Sequence, residues 1–102
     1  MQKLAPLKET EISERLSTLA HWSMEDNSLI AEFVFSDFKL AFAFMTLVAF
    51  SAEELQHHPE WSNVWNTVKI KLTTHDAGNS VTSLDIEMAE RISDAHRTFL
   101  TD

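Results

Sequence analysis

The chain has 102 residues, which is enough for one domain with a single hydrophobic core, and 44% of its residues are hydrophobic, as in ordinary globular proteins. Its 16 acidic and 8 basic residues give a formal net charge of −8, which disfavours nucleic-acid and anionic-membrane partners. The absence of cysteine excludes disulfides and a thiol nucleophile, and the single glycine excludes a glycine-rich phosphate loop. We therefore expect one domain over residues 1–102, with five histidines as its most distinctive chemical groups.

The first part of the sequence predicts a helix followed by two strands. Apolar residues at spacings of four and three indicate the helix over residues 9–20. The strands are predicted at 22–25 and 29–35, because an Asp-Asn-Ser turn cluster separates them and the second segment is rich in branched and aromatic residues.

A second helix is predicted from Ser36 or Asp37, either of which can cap it, to about Gln56, because Pro59 then disfavours helical backbone. Apolar residues extend around more than one side of this helix, so we expect both the sheet and another copy of the chain to cover it. Its uncharged run, 40–52, is too short to cross a bilayer, and no apolar signal segment begins the chain. We therefore expect a cytoplasmic protein without a membrane partner.

The second part of the sequence predicts two strands and a third helix. Alternating apolar and lysine residues indicate a strand within 64–74, and a Gly-Asn-Ser turn at 78–80 leads to a short strand over 81–84 in the same hairpin. The third helix is expected to begin near Asp85. The order α-β-β-α-β-β-α predicts an α+β domain with an antiparallel sheet and helices on one face.

Three histidines lie at predicted element ends, where a scaffold often positions functional groups. His57 and His58 follow the second helix, and His75 ends the strong strand. Imidazole can donate or accept a proton near neutral pH, so these residues are candidates for acid–base catalysis. Glu53 precedes His57 by four residues, and a helix that persists to His57 would let this carboxylate orient the ring.

The same pattern has plainer explanations. A His-His-Pro sequence at a helix end is often a surface turn, and His75 alone is an equally weak signal. The three histidines could instead bind zinc, but adjacent histidines do not readily chelate one ion, so we expect no metal site. His21 and His96 lack a supporting pattern and are interpreted as surface residues. Trp61 and Trp65 are either core residues or a platform for a flat ligand.

The most specific segment of the chain is AEELQHHPEW at residues 52–61, which follows FSDF at 35–38 and precedes LTTH at 72–75. With these motifs, the chain from about residue 22 to 92 resembles the pterin-4a-carbinolamine dehydratase family. The resemblance implies a four-stranded antiparallel sheet with three helices on one face, and assembly into homodimers or homotetramers.

The resemblance also implies a hydro-lyase that converts 4a-hydroxytetrahydrobiopterin to quinonoid dihydrobiopterin, in tetrahydrobiopterin recycling, with no metal or organic cofactor. It assigns acid–base catalysis to His57 and His75, substrate binding mainly to His58, and orientation of the site to Glu53. The remaining pocket residues that it implies are Pro59, Trp61, Thr73, Thr74 and Asp85.

Two other functions are compatible with the resemblance. Animal members of the family act as dimerisation cofactors for a homeodomain transcription factor, so a non-catalytic regulatory module is one alternative, and an accessory role for another pterin such as molybdopterin is the other. The intact histidine set favours the enzyme. One departure bears on the site: the family usually has Gly-Gly-Leu where this chain has GNSV at 78–81, and the segment from His75 to Asp85 is one residue longer.

Overall fold

The computed structural model describes residues 4–100, and the elements follow the predicted order α-β-β-α-β-β-α. A 3-10 turn at His75–Ala77 separates the last strand from the last helix. The bounds are α1 Glu9–Leu16, β1 Trp22–Glu25, β2 Ser28–Val34, α2 Phe38–Leu55, β3 Glu60–Val64, β4 Thr67–Leu72 and α3 Ser83–Thr98.

The four strands form one antiparallel sheet in the order β1-β2-β4-β3, which confirms the predicted fold class. Side chains alternate between the faces of the two central strands, and those on the helix side are buried because α2 and α3 pack over them. These buried strand residues are Leu29, Ala31, Phe33, Val68, Ile70 and Leu72. The helices therefore cover one face, and the opposite face carries the charged residues Glu32, Lys69 and Lys71.

The predicted strand over 81–84 is wrong. The fourth strand is instead β3, and it pairs with β4 through a tight turn made by Trp65 and Asn66. Trp65 has a φ of +51°, which is uncommon for a residue with a bulky side chain, so the turn lacks the glycine that usually marks one. After β4 only an isolated bridge between Thr74 and Ser80 forms, and the chain then enters α3 directly.

The helix bounds also differ from the expectation in ways that matter for the site. The first helix ends at Leu16, earlier than predicted. Asp37 caps α2, since its carboxylate accepts from the backbone N–H of Leu40 at 2.9 Å. The helix ends at Leu55 because Gln56 adopts a left-handed conformation with a φ of +51°. This left-handed residue redirects the chain just before the histidine pair.

One side of α2 stays uncovered by the other described residues, 4–100. Its inner side chains pack against the sheet and α3. On the outer side, Phe38, Phe42 and Phe50 are exposed, with Phe50 exposed by 67%. Within residues 4–100 the structure contains no helix that is both long enough and apolar enough to cross a membrane.

Candidate active site

An open cleft of about 760 Å³ lies where α2 and β4 end and α3 begins. This volume falls in the range of small-molecule sites. The structure brings the three predicted histidines to this cleft, together with seven other residues. The wall residues that matter for the site are His57, His58, His75, Thr73, Thr74, Leu55 and Leu84.

His57 is buried against α3 and held by a carboxylate from that helix. After the left-handed Gln56, the backbone N–H of His57 donates to the carbonyl of Ala52 at 3.0 Å, which turns the ring inward. Its Nε2 lies 2.5 Å from Oδ1 of Asp85, and Asp85 has no exposed surface. Asp85 therefore has no surface in the cleft and instead fixes the position of the His57 imidazole.

The other oxygen of Asp85 is occupied by two further donors. Oδ2 accepts from the hydroxyl of Thr74 at 2.7 Å and from the backbone N–H of Thr82 at 2.9 Å, the latter as part of the capping box of α3. Because the one hydroxyl proton of Thr74 goes to Asp85, Thr82 must donate its own hydroxyl proton to Thr74, across 2.8 Å.

These partners determine which nitrogen of His57 carries a proton. A carboxylate accepts hydrogen bonds only, so the ring must donate from Nε2 to Asp85. The nitrogen that this contact leaves available is Nδ1. Anchoring one imidazole nitrogen in this way fixes the tautomer and the ring plane.

The expected pairing of Glu53 with His57 is wrong. Glu53 instead lies 2.6 Å from Nε2 of His58, and both side chains are exposed. The helix does not persist to His57, because the left-handed Gln56 turns His57 inward and leaves His58 beside the last helical turn. The carboxylate that orients His57 comes from a residue distant in sequence, which local spacing does not reveal.

His75 reaches the cleft from the 3-10 turn after β4 and is exposed. Its Nδ1 lies 2.7 Å from Oδ1 of Asn79. Gly78 and Asn79 have φ values of +74° and +57°, so asparagine takes a left-handed position that a second glycine could fill. The altered turn is thus accommodated, and Asp85 still meets His57.

The predicted ligand-contacting residues divide into two groups. Thr73 and Thr74 line the cleft, although the hydroxyl of Thr74 is committed to Asp85. Among the described residues, the cleft wall does not include Pro59 or Trp61. Trp61 is half-buried on the edge strand β3, opposite Ile70.

His96 is not the surface residue that the sequence suggested. It is 6% exposed and packs among the rings of Phe33, Phe35 and Phe44. Burial lowers the pKa of His96, and the neighbouring His21 lowers it further. His96 lies roughly 16 Å along α3 from Asp85, so it does not belong to the cleft. Spacing could have revealed its burial, because it continues the apolar stripe of this helix.

The fold and the cleft together define the class of this protein, a small α+β domain with an imidazole pair suited to proton transfer. Residues 5–95 match the family model described as pterin 4 alpha carbinolamine dehydratase. The chain therefore belongs to the pterin 4 alpha carbinolamine dehydratase family.

Individual relatives agree with this assignment over most of the chain. A protein of Rhizorhabdus wittichii is 50% identical over 91 residues, which cover 87% of this chain and 93% of the relative. A protein of Synechococcus sp. strain WH7803 is 49% identical over 92 residues, covering 90% of this chain and 96% of the relative. Both carry the name of pterin-4-alpha-carbinolamine dehydratase.

A solved structure of similar fold extends the comparison. The crystal structure of a transcriptional coactivator/pterin dehydratase from Brucella melitensis matches with a TM-score of 0.84 and 42% identity. The match covers 88% of this chain and 97% of that chain.

Proposed function

We propose that this protein dehydrates a pterin 4a-carbinolamine, with 4a-hydroxytetrahydrobiopterin as substrate, quinonoid dihydrobiopterin as product and tetrahydrobiopterin recycling as its role. The observation that carries the proposal is the pair of imidazoles that line one cleft, His57 anchored on the buried Asp85 and His75 exposed on the turn after β4. The family assignment and the names of the relatives support the same reaction.

The reaction requires one proton donor and one proton acceptor. The C4a–O bond breaks and the hydroxyl leaves as water after it receives a proton from an imidazolium. The N5–H bond gives its proton to a neutral imidazole, and the C4a=N5 double bond forms. In this mechanism His57 works through Nδ1, because Asp85 occupies its Nε2. His75 is the other member of the pair.

The remaining side chains have supporting roles in the proposal. His58, oriented by Glu53, binds the substrate at the exposed rim, and Thr73 contributes a further contact. Asp85 and Thr74 position His57, since Asp85 is fully buried and the hydroxyl of Thr74 donates to it, and the substrate contacts expected of these two residues stay predictions. The substrate contacts expected of Pro59 and Trp61 stay predictions, as do the cytoplasmic location and the single-domain organisation of residues 1–102.

The test is to generate the 4a-carbinolamine chemically or enzymatically and to follow its decay by absorbance. We expect the wild-type protein to accelerate the decay, and His57→Ala and His75→Ala each to lose about 10²–10⁴-fold in rate. His21→Ala is the matched control, because it removes an exposed histidine outside the cleft. No acceleration by the wild type, or an unchanged rate when both cleft histidines are replaced, would show that the catalytic assignment is wrong.

We also propose that the chain assembles into a homodimer or homotetramer through the outer side of α2. The exposed phenylalanines Phe38, Phe42 and Phe50 support this, because exposed apolar patches on helices commonly mark protein interfaces. Light scattering at micromolar concentration should give a multiple of the mass of one chain, and Phe50→Glu should reduce it. A wild-type mass equal to one chain would contradict the assembly.

The same surface supports a second candidate function, that of a protein-binding regulatory module. The solved relative from Brucella melitensis is described as a transcriptional coactivator as well as a pterin dehydratase. Absence of dehydratase activity, together with binding of a different protein to the outer side of α2, would favour this alternative. An active enzyme whose rate depends only on the cleft histidines would favour the dehydratase.

A further inference from the structure

The turn between β4 and α3 places an amide against His75 that the histidine motif itself does not explain. Asn79 Oδ1 lies 2.7 Å from Nδ1 of His75, a distance at the short end of the range for an N–H···O hydrogen bond. Both side chains are exposed, and the imidazole belongs to the cleft wall. The proposed reaction assigns no role to Asn79.

The backbone of this turn holds the two residues in place. The N–H groups of Gly78 and Asn79 both point at the carbonyl of His75, at 3.1 Å and 3.4 Å. At the base of the turn, Thr74 and Ser80 exchange backbone hydrogen bonds of 2.9 Å and 3.3 Å. With its φ of +57°, Asn79 then projects its amide back towards the ring. This short, hydrogen-bonded loop therefore holds Asn79 beside His75, and little further conformational ordering is needed to form their contact.

We propose that Asn79 is a positioning residue for His75, whose amide oxygen holds Nδ1–H so that Nε2 is the nitrogen that exchanges protons with the substrate. This inference rests on the proposed function of the cleft. An acid–base imidazole alternates between a neutral and a protonated form, and Nδ1 carries a proton in both forms if Nε2 is the reacting nitrogen. An amide oxygen facing Nδ1 can accept that proton's hydrogen bond throughout the cycle.

The arrangement complements the anchoring of the other imidazole. Asp85 holds His57 by Nε2 and leaves Nδ1 free, whereas Asn79 holds His75 by Nδ1 and leaves Nε2 free. The two anchors differ in charge, since one is a carboxylate and the other a neutral amide. A neutral acceptor orients the ring of His75 without adding a negative charge that would favour its protonated form.

The kinetic test compares Asn79→Gly with Asn79→Asp. Glycine keeps the left-handed backbone and removes the amide, so we expect the rate of 4a-carbinolamine dehydration to fall roughly two- to tenfold, the effect of losing one hydrogen bond. Aspartate keeps an acceptor but adds a charge, so the limb of the kcat/KM profile that His75→Ala abolishes should move about one unit towards higher pH.

A matched control separates positioning from folding. Asn27 has a φ of +59° in the turn between β1 and β2, so Asn27→Gly makes the same backbone change away from the histidines. We expect Asn27→Gly and Asn79→Gly to have similar thermal stability, with only the latter affecting the rate. An Asn79→Gly rate equal to that of the wild type, in a protein that is active, would overturn the inference and leave the dehydratase proposal intact.

The spectroscopic test does not depend on activity. Long-range ¹⁵N–¹H correlation spectra report which nitrogen of a neutral histidine carries the proton. We expect Nδ1–H for His75 in the wild type and a shift towards Nε2–H in Asn79→Gly. A wild-type His75 in the Nε2–H form would overturn the inference, whereas absence of dehydratase activity with the Nδ1–H form present would count against the proposed function alone.

Discussion

Replacing Asp85 by asparagine is expected to reverse the tautomer of His57 with little change in shape. The side chain is fully buried and makes three hydrogen bonds, and all three of its partners donate. Two of those donors, the Thr74 hydroxyl and the Thr82 backbone N–H, converge on one oxygen. Asparagine has a single oxygen and will keep it at that position, because the opposite orientation would set its NH₂ group against both donors.

The amide NH₂ then faces Nε2 of His57, so Nε2 must accept the hydrogen bond that the amide donates. Nε2 loses its proton, the neutral ring carries the proton on Nδ1, and the nitrogen that faces the cleft can no longer act as a base. The loss should approach that of removing a general acid–base group, about 10²–10⁴-fold in kcat. The lost charge-assisted bond should lower the free energy of unfolding by about 1–3 kcal/mol.

Three measurements check this reasoning. The rate of 4a-carbinolamine dehydration gives kcat, ¹⁵N–¹H spectra give the tautomer of His57, and denaturant unfolding gives the stability. Asp94→Asn is a suitable control, because Asp94 lies on the same helix, is exposed and pairs with the exposed Arg97. A kcat within twofold of the wild type for Asp85→Asn, with His57 still protonated on Nε2, would refute the argument.

Two further predictions concern groups outside this network. Glu53→Gln should change the unfolding free energy by less than about 0.5 kcal/mol, because its pair with His58 is exposed, and a larger loss in a denaturant titration would contradict this. His96→Phe should reduce the decrease in folding stability that occurs as the pH is lowered. Since burial lowers the pKa of His96, the unfolded chain takes up a proton below about pH 6.5 that the folded protein resists, so wild-type stability is complete above that pH and decreases below it. Melting temperatures at pH 7.5 and 5.5 should therefore differ more for the wild type than for His96→Phe, and equal differences would count against this role of His96.

The fold was predictable to the level of element order, because hydrophobic periodicity survives errors at element ends. What failed was the identity of the fourth strand. The turn at Trp65 and Asn66 contains neither glycine nor proline, so the sequence pattern predicts a single strand within 64–74 where the structure has a hairpin of two strands. The apolar residues at 81–84 then suggested a strand, although the structure uses this segment to enter α3.

The site was predictable in its histidines but not in their partners. A four-residue spacing suggested Glu53 for His57, and the spacing rule failed because it holds only inside a helix, which ends one residue before the left-handed Gln56. The pairing of His57 with Asp85 depends on how α3 packs beside the end of α2, which no local pattern records. A threonine three residues before Asp85 did carry a signal, that of a capping box, but it predicts a helix start and not a catalytic contact.

That capping box links the stability of a helix to the chemistry of the cleft. Asp85 accepts the backbone N–H of Thr82, which caps α3, and through its other oxygen it holds His57. The groups that begin the helix are thus the groups that fix the tautomer, so α3 cannot fray at its start without releasing His57. The hydroxyl of Thr82 adds to this by donating to Thr74, which directs the proton of Thr74 onto Asp85. Packing of α3 on the sheet therefore determines which nitrogen of His57 the cleft presents, a property that neither the histidine motif nor the capping sequence carries alone.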